Sequence, residues 1–100
     1  MYNIFIPFFE WDEDKNTANQ RKHGVSFAEA KTVFFNENAK EASDPDHSAE
    51  EDRHILVGLS ARSRVLMVSF CYRRDLTMIR IISARKLNKT EEERYWRLLQ

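Results

Sequence analysis

One hundred residues with 42% hydrophobic side chains, two glycines and two prolines make a folded domain rather than a disordered chain, with room for one sheet and two or three helices. Sixteen lysines and arginines balance sixteen acids, which argues against indiscriminate nucleic-acid binding. No apolar run reaches the roughly 20 residues that a membrane span needs, so no membrane segment is expected.

The apolar start, from Met1 to Trp11, lacks a basic leader and a small-residue cleavage site. It reads as a strand over residues 4–11, interrupted by Pro7 and so suited to a sheet edge. Asp12 is a good N-cap for a helix running to His23, and Gly24 holds the C′ position that favours left-handed backbone. That helix is almost wholly polar; only Ala18 and the alkyl stems of Lys15 and Lys22 are expected to lie on a sheet. Ser26 with Glu29 forms a capping box for a second helix, in which Phe27, Ala30, Val33 and Phe34 fall at helical spacing. A short extended piece near 39–42 and an acidic, turn-rich loop from Ser43 to Asp52 follow.

Arg53–Ser60, Arg64–Arg73 and Thr77–Arg85 are rich in β-branched and aromatic residues. The links Ala61-Arg62-Ser63 and Arg74-Asp75-Leu76 are of hairpin length, which predicts an antiparallel meander. Thr90 with Glu93 predicts the start of a last helix, packed through Tyr95, Trp96, Leu98 and Leu99. The order β-α-α-(β)-β-β-β-α predicts a single α+β domain over residues 1–100, with two N-terminal helices packed on an antiparallel meander and a C-terminal helix.

Charge is unevenly spread. Between residues 36 and 52, Glu37, Glu41, Asp44, Asp46, Glu50, Glu51 and Asp52 are set against Lys40 alone; between 62 and 89, eight bases are set against Asp75 alone. A local positive field is thus compatible with zero net charge, as is intermingling of the two segments in the fold. Arginines dominate the bases between 53 and 85, which favours recognition of phosphate or carboxylate. Alternation groups Arg64 with Leu66, Val68, Phe70 and Tyr72, Arg80 with Met78 and Ile82, and Arg85 with Ile79, Ile81 and Ser83. An arginine inside an apolar strand needs a partner. Arg80 either pairs with Glu51 or Asp12, or shares an anion site with Arg64 and Arg85.

His23 ends the polar helix behind Lys22 and before the glycine turn. A histidine there either serves the helix dipole, at about 0.3–1 kcal/mol, or acts in proton transfer, since an unperturbed imidazole titrates close to neutral pH. His54 starts a strand and is a second candidate; His47 reads as a solvated loop residue. Cys71, the one cysteine, reads as a buried thiol and fits a reducing cytoplasm. The sequence has no zinc-ligand spacing, Gly-rich phosphate loop, calcium loop or nucleophile elbow, so neither metal nor cofactor is expected.

Several blocks stand in order along the chain: Phe9-Glu-Trp-Asp12 with Lys15 and Asn19; Lys22-His-Gly-Val-Ser-Phe27 with Ala30; Glu51 and Arg53; Gly58; Arg64; Arg80-Ile-Ile-Ser-Ala-Arg85; and an ending from Glu91/Glu92 to Tyr95. Together they resemble the BrnT family, toxins of type II toxin–antitoxin modules. The chain departs from that pattern in a longer apolar start before Phe9 and in Leu87, where alanine is common. The resemblance implies a RelE-like ribonuclease fold and RNA cleavage that slows translation and growth. It also implies a BrnA-like ribbon-helix-helix antitoxin, in a heterotetramer built on an antitoxin dimer. That complex would bind operator DNA through the antitoxin and repress its own promoter.

On these grounds the expected chemistry is metal-independent cleavage of the RNA backbone by attack of a ribose 2′-OH. His23 is the candidate for proton transfer, with Lys22 adjacent, and Arg64, Arg80 and Arg85 are candidates for transition-state stabilisation. Glu51 would orient an arginine or act as base, Arg53 would contact phosphate, and a base would stack on Tyr72. Trp11 reads as core. The rival reading is a non-catalytic RelE-like module that binds antitoxin and DNA, or RNA without cutting it. Clustering of His23 with the arginines separates the two. The C-terminal helix either covers the sheet or offers part of an antitoxin surface.

Overall fold

The apolar residues of the long strands alternate, and the sheet forms around that difference between its faces. The computed structural model describes residues 8–44, 52–75 and 77–100. Its elements are β1 (Phe8–Glu10), α1 (Glu13–His23), α2 (Phe27–Val33), β2 (Lys40–Ser43), β3 (Arg53–Leu59), β4 (Val65–Arg73), β5 (Met78–Lys86) and α3 (Lys89–Leu98). The strands lie in the order β1-β5-β4-β3-β2. From β2 to β5 every pairing is antiparallel, and among β3, β4 and β5 this is what the hairpin-length links predict. β1 instead runs parallel to β5, with Phe9 opposite Ile79, so the sheet is mixed rather than purely antiparallel. A three-residue edge strand carries no directional signal in its sequence. Side chains hold it: Phe9 packs on Phe34 and Phe35 at centroid distances of 5.2 and 6.1 Å, while Glu10 faces Arg73 and Arg80 on the other side.

One face of the sheet buries Leu56, Leu66, Val68, Phe70, Ile79, Ile81 and Ala84 beneath Val25 and the α2 stripe Phe27, Ala30 and Val33. Each large side chain fully buried here contributes about 1.5–3 kcal/mol. Gly58 lies under the same helix, where a Cβ would sit 2.9 Å from Ala39 Cβ and 3.0 Å from Val33 Cγ1. The close approach of that segment excludes a side chain.

Asp12 caps α1 by accepting from the Asp14 and Lys15 amides, and Gly24 ends it at φ 68°. The residue that α1 buries is Asn19; Ala18, Lys15 and Lys22 are exposed, contrary to the expectation from hydropathy. Asn19 Nδ2 donates to the carbonyls of Val25 and Ala84 at 2.9 and 2.8 Å, and its Oδ1 accepts from the Ala84 amide at 3.1 Å. Among the described residues β1 covers β5 only along Met78–Arg80, so at Ala84 this one amide does what a neighbouring strand would do. Asn19→Ala leaves both backbone groups of Ala84 without their buried partner and is expected to cost about 2–3 kcal/mol. Urea unfolding at unchanged slope measures it; an unaltered midpoint would contradict this account of how α1 docks.

Ser26 caps α2 by accepting from the Glu29 amide, but the reciprocal half of the expected box is not made. The Glu29 carboxylate turns inward to Ser60 and Arg64. In α3 the cap is Asn88, with Glu91 completing the box, two residues ahead of the predicted Thr90 and Glu93. Leu87 still pairs its amide with Val65, so the chain leaves the sheet only at Asn88, a stronger cap than threonine. Tyr95 is buried and donates to the Asn38 carbonyl at 3.0 Å. Leu98 stays largely exposed instead of packing, while Trp96, 41% exposed, meets the Tyr95 ring edge-on at 5.3 Å. Among the described residues no helix is long and apolar enough to cross a membrane.

Candidate active site

Away from α2, the sheet shows its other face, and an irregularity in β5 decides what stands there. Ser69 pairs with Ser83 and Phe70 with Ile81, which leaves Ile82 without a register partner. This β-bulge shifts the alternation by one residue. Ile79, Ile81 and Ala84 therefore all face the core, while Arg80, Ser83 and Arg85 share the opposite face. Regular alternation assigns Arg80 and Arg85 to opposite faces; the bulge brings them together.

Register arranges this face in three rows. Arg53, Cys71, Arg80 and Glu10 form one; Ile55, Ser69 and Ser83 the next; Val57, Met67 and Arg85 the third. Rows two residues apart are about 6.7 Å from one another, and strands about 4.8 Å. Arg53 and Arg80 thus flank Cys71, whose thiol is buried.

His23 joins the face at its edge. It lies one helical turn beyond Asn19 and so on the same side of α1, beside the stretch of β5 that β1 leaves uncovered. An open cavity of about 290 Å³ is lined by His23, Arg53, Arg85, Ser69 and Ser83, with Asp44, Ile55, Met67 and Ala84 completing its walls. The imidazole, two guanidinium groups and two hydroxyls thereby share one concave surface.

The arginines are not equally committed. Arg85 holds the Glu91 carboxylate with both Nη atoms, each at 2.9 Å, and Glu91 also accepts from the Asn88 amide in its capping box. Arg85 and that amide hold the Glu91 carboxyl down to about 2, and Arg85 itself is pushed up. The pair fixes the guanidinium at the cavity wall. Arg80 lies 3.6 Å from Glu10, which also faces Arg73 at 3.7 Å, so one carboxylate is shared loosely by two arginines. The ion partner of Arg80 is Glu10 rather than Asp12.

Other sequence candidates stand elsewhere. Arg64 sits on the core face, as alternation predicts, and is bound to Glu29 and to the Gly24 carbonyl. Tyr72 is on that face too, donating to Glu41 at 2.9 Å; burial and Glu41 push its hydroxyl up to about 12. His54 stacks on Phe70 and meets Tyr72 edge-on, with Glu41 at 3.5 Å and Asp52 at 3.7 Å. Lys22 is exposed on the last turn of α1. Trp11 is partly buried against the core and donates to Glu13. Glu51 and His47 lie outside the described residues. Sequence reasoning did not single out Ser69 or Ser83 as candidates; one serine in each of two apolar strands was the available signal.

A family model described as the ribonuclease toxin BrnT of type II toxin–antitoxin systems matches residues 11–91. The 1.1 Å crystal structure of the Brucella abortus ribonuclease toxin BrnT is similar in fold, with a TM-score of 0.66 and 23% identity. The alignment covers 84% of this chain and 100% of that one. No curated protein matches the sequence.

Proposed function

This chain belongs to the BrnT family of ribonuclease toxins of type II toxin–antitoxin systems, and from that premise we propose that it is a metal-independent endoribonuclease working through His23. In this reading a ribose 2′-OH attacks the adjacent phosphorus and the bond to the 5′ oxygen breaks. The products are a 2′,3′-cyclic phosphate and a 5′-hydroxyl. One proton leaves the 2′-OH and one reaches the departing oxygen; His23 is the group assigned to proton transfer. Arg53, Arg80 and Arg85 carry the charge that grows on the phosphorane. Lys22 adds a cation beside His23. Arg64 serves the scaffold, and Glu51 keeps its assignment as orienter or base.

The observation that carries the reading is that His23, Arg53 and Arg85 line one cavity, on a face to which Arg80 also belongs. A type II toxin implies an antitoxin. We read it as a BrnA-like ribbon-helix-helix protein, forming a heterotetramer around its own dimer, binding operator DNA and repressing the shared promoter. The fold is read as RelE-like, and the site of action as the cytoplasm, where RNA cleavage slows translation.

The test is incubation of the purified protein with a defined RNA in EDTA, with the fragment ends mapped. Cleavage leaving cyclic-phosphate ends is the expected result. Failure of folded protein to cleave, on free RNA and on ribosomes alike, would overturn it. One observation favours a second reading, a non-catalytic RelE-like module for antitoxin, DNA or RNA: Arg64, Arg80 and Arg85 each face a carboxylate, which lowers the charge offered to a phosphate.

A further inference from the structure

We propose that Ser69 and Ser83 form the subsite that reads the ribose 2′-hydroxyl, so that this pair selects RNA over DNA; the inference rests on the ribonuclease reading above. The two residues are direct cross-strand partners in β4 and β5, which puts their Cβ atoms about 5 Å apart on one face. Both line the cavity that holds His23. Neither hydroxyl has a hydrogen-bond partner among the described residues, so both are open to a ligand.

Their row lies between the row of Arg53 and Arg80 and the row of Arg85. The cations suit phosphate oxygens, which only accept hydrogen bonds. A neutral hydroxyl suits a group that both donates and accepts, and the 2′-OH is the one group of that kind that distinguishes RNA from DNA at a given position. A sugar held at the serines keeps its phosphate within reach of either arginine row, about 6.7 Å away, with His23 beside it. Nothing in the packing asks for serine here. The neighbours on this face include Ile55, Met67, Cys71 and Arg85, and α2 lies on the other side.

The experiment uses the full chain carrying His23→Ala, which slows turnover enough for binding to be read, and measures binding of two single-stranded oligonucleotides of one sequence, all-ribose and all-deoxyribose. The expected result is RNA binding about tenfold tighter than DNA binding. With Ser69→Ala and Ser83→Ala added, the ratio falls to near one through loss of RNA affinity, while DNA affinity and the salt dependence set by the arginines stay as they were. Ser83→Thr, which keeps a hydroxyl and suits a strand, retains the preference. If RNA binds but the ratio ignores the serines, the subsite is overturned and the ribonuclease reading stands. If the chain binds no RNA even at low salt, the subsite is overturned; if wild type also cleaves no RNA, free or on ribosomes, the ribonuclease reading falls as well.

Discussion

His23→Ala lowers the rate of RNA cleavage by about 10²–10⁴-fold with little change in stability. The magnitude is that of removing one positioned acid or base. His23 is half-buried at the end of α1, where its electrostatic benefit to the helix is about 0.3–2 kcal/mol, so the fold survives the change. The anchor of that helix is Asn19 one turn earlier, which the substitution leaves in place. Arg53 and Arg85 remain in the cavity wall to hold phosphate. The loss therefore falls on kcat, with KM nearly constant, which is the pattern of an interaction made in the transition state. Single-turnover cleavage of a defined RNA in EDTA, beside an unfolding curve for the same preparation, measures both parts. Wild-type cleavage by the folded variant would remove His23 from the chemistry.

What was legible in the sequence follows from the reach of each signal. The three long strands, the α2 stripe, the Asp12 cap and the Gly24 break are set by neighbours within a few residues, and the structure has them where local rules put them. Alternation fails at Ile82, because Ile81 and Ile82 are both apolar and either can take the core position. Only pairing with β4 decides, and the decision moves Arg85 to the face of Arg80. Glu29 follows Ser26 at capping-box spacing, yet the Arg64 guanidinium in reach outcompetes the helix end for its buried carboxylate. Asn19 looked like one more polar residue in a polar helix, since its partner Ala84 is far along the chain. Thus His23, Arg53 and Arg85 were legible as candidate residues and not as an arrangement, and the two serines between them were not legible at all.

Arg64→Ala, by contrast, is expected to act through stability, at about 3–5 kcal/mol, against the 5–15 kcal/mol typical of a whole domain. The Glu29 side chain is only 3% exposed. Its carboxylate accepts from Ser60 at 2.7 Å, from Arg64 Nε at 2.9 Å and from Arg64 Nη2, which also donates to the Gly24 carbonyl. One guanidinium thus ties the end of α1 and the first turn of α2 to the β3–β4 hairpin. Removing it leaves a buried charge with a single hydroxyl for a partner. The hydrogen bond from Arg64 is the main reason that the Glu29 carboxyl is held below its ordinary value of 4.5. A lowered folded value means stability that is present above the ordinary carboxylate range and lost as pH falls through the folded one. The stability that the pair gives wild type is therefore lost as pH falls from about 4.5 through the lowered folded value, and the gap to Arg64→Ala narrows over that range. Replacing both partners by apolar residues, Arg64→Met with Glu29→Leu, recovers most of the loss, because no charge is left buried alone. That double variant also separates scaffold from chemistry. With the guanidinium spent on the core face, cleavage per folded molecule is expected to stay within about tenfold of wild type; a loss as deep as that of His23→Ala would return Arg64 to the groups that touch RNA.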